Sequence, residues 1–176
     1  MLELYKFTDK EEKELLNSIT ILLDSREQKN THIVEWLDKK KKPYKQKKLD
    51  FGDYGFFIPQ NESLGIMKDL DFSNKIVFER KQNLSEYVAN LSTDRARIEK
   101  EFALCPAKIE IIIESCQYKD LRDGNYYGNY KPESVLGTIH SWKEKYGVNF
   151  QFMQYPEDTP LYMYLSFYHY LRNYIR

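Results

Sequence analysis

The chain has 176 residues, and its 27 Lys and Arg side chains are balanced by 27 Asp and Glu. This length suits one domain with its own core, and zero net charge excludes a general electrostatic attraction to nucleic acids. No stretch approaches the roughly eighteen apolar residues that span a bilayer and no signal peptide opens the chain, so we expect a cytoplasmic protein without membrane contact. Cys105 and Cys116 lack CxxC spacing, which indicates reduced, buried thiols rather than a zinc site.

The first half of the chain alternates helical and strand-like patterns. Residues 19–23 form a short β-branched apolar run, typical of a buried strand, and Ile33, Val34 and Leu37 recur at helical spacing. Pro43 ends that helix. In chain order, the predicted elements are a helix over 9–17, a strand over 19–23, a helix over 32–41 and two strand pieces over 47–58 around Gly52 and Gly55.

The second half repeats this alternation. Its predicted elements are a polar loop or hairpin over 59–74, a strand over 75–78, a helix over 84–102, a strand over 109–113, a loop over 123–130, a helix over 132–146, a strand over 148–153 and a helix over 161–175. The last helix carries an apolar stripe of Leu161, Leu165, Tyr168, Leu171 and Ile175. Strands that alternate with helices predict one α/β/α domain with a sheet covered on both faces.

Acidic residues follow the predicted strands. Asp24 and Glu27 come after the first strand, Asp53 after the second, and Glu79 after the third, two residues before Lys81. Grouped carboxylates repel one another unless a cation such as Mg²⁺ or Mn²⁺ binds them, and such a cation with a lysine is the equipment for phosphodiester hydrolysis. The alternative is that these acids serve as turn and capping residues, a role that suits Asp24 and Asp53.

Three blocks in the right order resemble a known family. The segments 24–27 (Asp-Ser-Arg-Glu), 52–54 (Gly-Asp-Tyr) and 79–81 (Glu-Arg-Lys) are similar to the XPF-type structure-specific nuclease domain, a branch of the PD-(D/E)xK nucleases, and most of all to its small stand-alone bacterial and phage versions. The likeness covers about 19–153. It implies a three-layer α/β/α restriction-endonuclease-like fold with a central mixed sheet, and a bacterial or phage-infected cell as the location.

The resemblance also implies roles for the acidic and basic groups. Asp53 and Glu79 would be metal ligands and Lys81 the catalytic lysine, with Asp24 and Glu27 completing the acidic cluster directly or through water. Planar guanidinium groups bind acids or phosphates well. The resemblance gives this role to Arg80, at the catalytic centre, and to Arg26.

Several other residues are candidates for nucleic-acid binding. The basic segment 39–48 includes Lys45, Lys47 and Lys48, which either hold phosphates beside the metal site or are simply solvated. Aromatic rings in a loop can stack on unpaired bases, or they can pack against their own domain. The remaining candidates are Arg95 and Arg97 on the helix behind the site, and Tyr126 and Tyr127 in the Gly/Asn/Tyr loop.

Two departures from the family pattern leave alternatives open. Ser85 stands where the family usually has an aspartate, so either Glu86 replaces that carboxylate or Ser85 caps the helix. We also expect no helix-hairpin-helix module of the kind that binds branched DNA in eukaryotic and archaeal relatives. The alternative to a nuclease is therefore a non-catalytic DNA-binding or scaffold module with a degenerate site. The same site would also cut RNA.

The sequence thus predicts a Mg²⁺- or Mn²⁺-dependent DNA endonuclease that acts on branched or partly single-stranded DNA. Aromatic residues surround the last predicted helix instead of keeping to one stripe, which indicates a second apolar surface. Since relatives pair through their nuclease domains, we expect a homodimer or a protein partner on that helix.

Overall fold

The computed structural model describes Leu2 and residues 6–176. Within these residues the α-helices are α1 Asp9–Asn17, α2 Thr31–Lys39, α3 Leu84–Leu104, α4 Tyr118–Asp123, α5 Pro132–Tyr146 and α6 Thr159–Tyr174. The strands are β1 Thr20–Leu23, β2 Tyr44–Gln46, β3 Tyr54–Ile58, β4 Leu70–Asp71, β5 Ile76–Lys81, β6 Lys108–Glu114 and β7 Asn149–Met153. Short 3-10 helices occupy Glu62–Leu64 and Pro156–Asp158.

All seven strands belong to one mixed sheet with the order β2-β1-β3-β5-β6-β7, and β4 pairs with β3 beside this path. β1 and β2 are parallel, as are β5, β6 and β7, whereas β3 runs antiparallel to both β1 and β5. The antiparallel β3 therefore begins at the edge of the sheet where β1, β5 and β6 end. This edge gathers the chain segments that carry the predicted acids.

Helices cover both faces of the sheet, so the predicted three-layer α/β/α fold is confirmed. One core lies between the sheet and helices α1, α2 and α6, and Phe167 of α6 packs on Phe56 and Phe78 with ring centroids 5.0 and 5.1 Å apart. The other core lies between the sheet and α3, α4 and α5, with Trp142 fully buried in it. None of the helices in the described part of the chain is long and apolar enough to cross a membrane.

Four elements differ from the predicted ones. The first of the two strand pieces predicted over 47–58 is wrong, because the strand is β2, which comes earlier and pairs with β1. The helix α4 was not predicted. β5 continues through Lys81, so the Glu-Arg-Lys segment lies inside the strand and not after it. Helix α3 is capped by Asn83, whose side chain accepts the Glu86 N–H, and not by Ser85.

The predicted stripe of α6 is correct at only some positions. Leu171 and Ile175 are buried, but Leu161 and Leu165 keep 46% and 44% of their surface exposed. Met163, Tyr164 and Phe167 occupy the buried side instead. The sheet presents Phe56 and Phe78 to this helix, and large aromatic rings fill that space better than the leucines would.

Candidate active site

Gly52 places Asp53 at the sheet edge. Its φ of +69° lies in the left-handed region, and a Cβ there would stand 2.9 Å from the Phe78 carbonyl oxygen, so only glycine fits. The chain can then cross close over β5, where the Asp53 N–H donates to the same Phe78 oxygen at 2.7 Å. Asp53 thus directly precedes β3. The prediction that Asp53 follows a strand is wrong. The antiparallel direction of β3 nevertheless brings Asp53 to β5.

Alternation along β5 separates the three residues Glu79, Arg80 and Lys81. Side chains two apart on a strand share a face, so Glu79 and Lys81 point toward α3 and α5 and Arg80 points the other way. The Lys81 ammonium donates to the Glu79 carboxylate at 2.7 Å. Glu79, Lys81 and Asp53 all line one open cleft, and Arg80 does not.

The surroundings of the Asp53 carboxyl group strongly shift its pKa. Burial, with the negative charge of Glu79 next in importance, raises the pKa of Asp53 to about 8. One Asp53 oxygen accepts the Arg80 backbone N–H at 2.8 Å, which fixes the carboxylate against β5. Burial lowers the pKa of Lys81, but the charge of Glu79 and its hydrogen bond outweigh this, so the net shift is upward and the amine stays charged.

Whether these residues suit a divalent cation follows from their chemistry. Carboxylate oxygens are the donors that Mg²⁺ and Mn²⁺ prefer, and a cation would offset the burial and the Glu79 repulsion that together raise the Asp53 pKa. Asp53 and Glu79 therefore fit as a pair of ligands. Throughout Leu2 and 6–176, however, no group of three or more His, Cys, Asp or Glu side chains is arranged to hold a metal ion. A bound cation would need water or substrate oxygens to complete its coordination.

Asp24 is occupied by protein donors. Its carboxylate accepts two guanidinium bonds from Arg26, at 2.8 and 2.9 Å, together with the backbone N–H groups of Arg26 and Leu49 at 2.7 Å each. With four donors on two buried oxygens, Asp24 is arranged to orient Arg26 and not to bind metal. Arg26 lines the cleft together with Asp53 and Glu79.

Glu27 and Arg80 form a separate buried ion network behind β5. The Arg80 guanidinium donates to Glu114 at 2.7 Å, to Glu27 at 3.0 Å and to the Lys29 carbonyl at 2.7 Å, and His32 contacts Glu114 at 2.9 Å. The prediction that Arg80 acts at the catalytic centre is thus not supported by its position, because strand alternation turns it away from the cleft. Glu27 is likewise held by Arg80.

The sequence analysis assigned no role to Glu114, which the structure places in the buried ion network. It ends the all-apolar run of β6, and its side chain is 3% exposed. A carboxylate that closes a fully buried strand must find a cation, and Arg80 of the neighbouring parallel strand is the partner. The sequence did contain a signal for this pair. It is a buried strand that ends in an acid, next to a strand that carries an arginine.

The two arginines predicted on α3 have different surroundings. Arg97 lines the cleft and pairs with Glu101 at 2.7 Å. Arg95 instead contacts α5, donating to Thr138 at 3.2 Å and lying 6.0 Å from the centre of the Trp142 ring. The interpretation of a nucleic-acid contact therefore suits Arg97, whereas Arg95 helps to hold α3 on α5.

The predicted lysines lie beside the cleft and do not line it. Lys45 is exposed on the edge strand β2, and Lys47 and Lys48 follow it at the sheet edge where Asp24 follows β1. Lys47 donates to Asp71, and its backbone N–H bonds the Leu23 carbonyl at 2.9 Å. The Lys47 charge is therefore paired within the protein, and Lys48 lies two residues before Asp50, which lines the cleft.

The Gly/Asn/Tyr loop is anchored to the start of α3. The Ser85 hydroxyl accepts the Tyr127 N–H at 2.9 Å, and Glu86 accepts the Gln82 N–H at 2.9 Å. Glu86 is therefore used as a cap, while Ser85 ties the loop next to the end of β5. Tyr126 packs against its own core and donates to the Tyr130 carbonyl, whereas the Tyr127 side chain is 90% exposed.

The three-layer fold and the acid-acid-lysine set at one sheet edge define the class of restriction-endonuclease-like domains. The ERCC4 domain family matches residues 23–165, and the chain belongs to this family. No curated protein matches the chain. Membership supports a nuclease-type or DNA-binding role.

Two solved structures are similar to the chain at the level of the fold. The first, XPF from Aeropyrum pernix, shares 19% sequence identity at a TM-score of 0.63, and the alignment covers 87% of this chain and 65% of that one. The second, XPF from Aeropyrum pernix in complex with DNA, shares 18% identity at a TM-score of 0.59, covering 88% and 65%. The chain thus spans 65% of these relatives.

Proposed function

We propose that the chain is a divalent-metal-dependent DNA endonuclease whose centre is Asp53, Glu79 and Lys81. The observation that carries this proposal is the cleft in which two carboxylates and a lysine from β5 and the start of β3 converge. The raised pKa of Asp53 supports it, since a folded protein would gain stability if a cation replaced the proton there.

Each residue has a defined task in this proposal. Asp53 and Glu79 would hold Mg²⁺ or Mn²⁺, which when bound polarises the scissile phosphate and lowers the pKa of a water. Lys81, kept charged by Glu79, would stabilise the negative charge that develops on the phosphate oxygens. Arg26, oriented by Asp24, would bind a neighbouring phosphate through its planar guanidinium.

Branched or partly single-stranded DNA is the proposed substrate. Lys45, Lys47 and Lys48 offer charge to a duplex backbone on one rim, and Arg97 offers a second contact at the cleft. The backbone N–H of Tyr127 holds this loop residue next to Ser85 at the start of α3. Tyr127 is 90% exposed, and its ring would stack on an unpaired base. The similar XPF from Aeropyrum pernix has been solved in complex with DNA, which supports DNA as the ligand.

The decisive experiment incubates the protein with labelled duplex, single-stranded, flap, fork and four-way DNA in Mg²⁺, Mn²⁺ or EDTA. We expect cleavage that requires the cation and disappears in Glu79→Ala. Glu144→Ala, which removes an exposed glutamate of α5, is the matched control and should cut normally. Parallel RNA substrates test whether the same site accepts both backbones.

The rival function, a DNA-binding module with a degenerate site, predicts a different pattern. It is motivated by Ser85, which binds the Tyr127 loop where the family usually has a carboxylate. DNA binding without cutting under every condition, unaffected by Glu79→Ala, would establish the rival. Cutting lost in Glu79→Ala would exclude it.

A partner surface on α6 is also proposed. Leu161 and Leu165 in the first half of this helix and Tyr155 before it are exposed apolar side chains, and β7, which precedes the helix in the chain, is an edge strand. A homodimer or another protein would cover them. Sedimentation at tens of micromolar should show a dimer, and Leu161→Glu and Leu165→Glu should dissociate it. A monomeric wild type would contradict the proposed homodimer.

A further inference from the structure

Lysines are concentrated along one edge of the sheet. Seven of the 27 lysines and arginines lie within residues 39–48, although the whole chain has no net charge. Two of the seven are engaged inside the protein, since Lys42 donates to the Tyr164 hydroxyl at 2.8 Å and Lys47 pairs with Asp71. The other five are exposed and have no ion-pair partner within the described part of the chain. We call them the lysine track, and they are Lys39, Lys40, Lys41, Lys45 and Lys48.

The backbone of the track is held straight against β1. The Pro43 carbonyl accepts an N–H of β1 at 2.9 Å, the Lys47 N–H donates to a carbonyl of β1 at 2.9 Å, and β2 pairs with β1 between these two bonds. A strand rises about 3.3 Å per residue, so Lys41 and Lys48, on either side of the bonded segment, stand up to about 23 Å apart. The charges are therefore carried by an ordered strand.

The track leads from the cleft toward the opposite end of the sheet. Because β1 and β2 are parallel, the end of β2 lies beside the end of β1, where Asp24 orients Arg26. Lys48 is at this end, two residues before Asp50, which lines the cleft together with Arg26. Helix α2 connects the end of β1 to the start of β2, so residues 39–41 at its last turn lie at the end of the sheet away from the cleft.

Lys41 adopts a backbone conformation that suits glycine better. It directly follows Lys40, the C-cap of α2, and its φ of +52° lies in the left-handed region, where glycine or asparagine is usual after a helix. A residue held in an unfavourable conformation indicates that its side chain has a use. A lysine here adds an exposed charge to the far end of the track, although glycine would fit the turn at lower cost.

A DNA duplex is the partner that fits this line of charge. A duplex presents one phosphate per strand about every 3.4 Å along its axis, so the length of the track corresponds to about seven base pairs. Lysines also stabilise helix C-termini and keep edge strands from pairing with other molecules. The first of these roles explains only residues 39–41 and the second only Lys45. Neither explains a line of charges that ends beside the cleft.

We propose that the lysine track binds one duplex arm of a branched DNA over about seven base pairs that lead away from the cleft. This inference rests on the proposed function, because the cleft supplies the position of the cut. The substrate class then becomes more specific. It is a DNA with an unpaired strand at the cleft and a duplex arm on the side of β2, and the length of that arm determines the affinity.

The test measures binding without cleavage. The protein is titrated in Ca²⁺ with labelled DNA that has one constant single-stranded tail and a duplex arm of about 4, 8, 12 or 16 base pairs. Fluorescence anisotropy gives the affinity for each arm at several salt concentrations. For the wild type we expect the affinity to rise between arms of about 4 and 12 base pairs and to change little beyond that length, because the longer arm passes the last lysine.

Two sets of variants separate the ends of the track. Replacing Lys39, Lys40 and Lys41 by glutamine should weaken binding to the long arms at least about tenfold and lower the slope of log affinity against log salt by about two to three. The same variant should bind the shortest arm normally, because that arm does not reach these residues. Lys45→Gln combined with Lys48→Gln should weaken binding to arms of every length, because these two lysines are the nearest to the cleft.

Two further variants serve as controls. Replacing Lys13, Lys119 and Lys143 by glutamine removes three exposed lysines of α1, α4 and α5, and should change neither the affinity nor the salt slope. Lys41→Gly removes one charge of the track and supplies the residue that the left-handed turn favours. It should weaken binding to the long arms with no loss of thermal stability, which separates the role of the charge from any effect on folding.

The outcomes separate this inference from the proposed nuclease. If the change at residues 39–41 weakened binding to all arms equally, or if the control set were as effective, the attraction would be a general one and the track would be overturned. Cleavage that requires Glu79, with an affinity independent of arm length, would overturn the track and leave the nuclease intact. Loss of affinity confined to the long arms would support the track even in a protein that fails to cut.

Discussion

The two faces of β5 contrast sharply. On one face, Glu79 and Lys81 share an open cleft with Asp53, and burial beside Glu79 raises the Asp53 pKa to about 8. On the other face, Arg80 is buried and its guanidinium donates to two carboxylates and a backbone carbonyl. Each face sets one cation of β5 against two acids, but only the face toward α3 and α5 opens into a cleft in which a further cation could bind.

This contrast shows how one strand can carry both the proposed catalytic residues and a stabilising ion network. The buried ion network behind β5 contributes rigidity, because breaking a buried pair leaves an uncompensated charge. The cluster in the open cleft is the place where a ligand can gain free energy on binding. Neighbours in sequence therefore take opposite roles because a strand turns successive side chains to opposite faces.

The largest effect we expect is the loss of the proposed cleavage when a residue on the cleft face of β5 is changed. Glu79→Gln removes a ligand and should lower metal-dependent cleavage at least about a hundredfold, the scale of losing one group that supports transition-state charge. Glu79→Gln loses the ion pair with Lys81 but also relieves the repulsion with Asp53. The two effects partly cancel, so the free energy of unfolding should fall by less than about 1 kcal/mol. Cleavage rates and urea unfolding measure both. A large stability loss with proportionate loss of activity would contradict the division between the faces.

The matching change on the other face should act on stability. Arg80→Met leaves Glu114 and Glu27 without their guanidinium, and we expect the free energy of unfolding to fall by about 3–5 kcal/mol. Adding Glu114→Gln to that variant removes one buried charge and should restore part of the loss. Urea denaturation of the single and double variants tests this. A stable, folded and inactive Arg80→Met would instead place Arg80 in catalysis.

A smaller effect concerns pH in the metal-free protein. The Asp53 pKa rises from an ordinary 3.8 to about 8 on folding, so between these values the folded state holds a proton that the unfolded state has lost. Stability should therefore decrease as pH rises through this window, and Asp53→Asn should flatten the decrease. Thermal unfolding from pH 5 to 9 measures it. Mg²⁺ should raise the melting temperature more at pH 8 than at pH 6, because it competes with that proton.

The smallest effect separates two arginines by their contact with DNA. Arg26→Ala should weaken duplex binding and reduce the slope of log affinity against log salt by about one, as expected for a lost phosphate contact. Arg95→Ala should leave that slope unchanged, since Arg95 contacts Thr138 and lies near Trp142. Binding isotherms from 50 to about 200 mM salt measure both. Equal slopes of log affinity against log salt for Arg26→Ala and wild type would contradict the proposed phosphate contact of Arg26.

Hydrophobic periodicity was sufficient for most elements. Short β-branched runs gave β1, β5 and β6, and helical spacing gave α2, α3 and α5, because each pattern encodes which side must be buried. It failed for β2, an exposed strand of three residues whose pairing with β1 is a tertiary event. It also failed for α6, where aromatic residues on several sides left the buried stripe to be chosen by the facing sheet.

The sequence by itself determined the family and the three-layer fold, and it predicted the acid-acid-lysine set. These depend on local patterns and on residue types in order along the chain. Only the tertiary structure decided which charges meet: Asp24 with Arg26, Arg80 with Glu114 and Glu27, and Asp53 with Glu79. Those pairings depend on strand direction, on side-chain alternation and on the crossing that Gly52 permits, and all three are properties of elements brought together across long stretches of sequence.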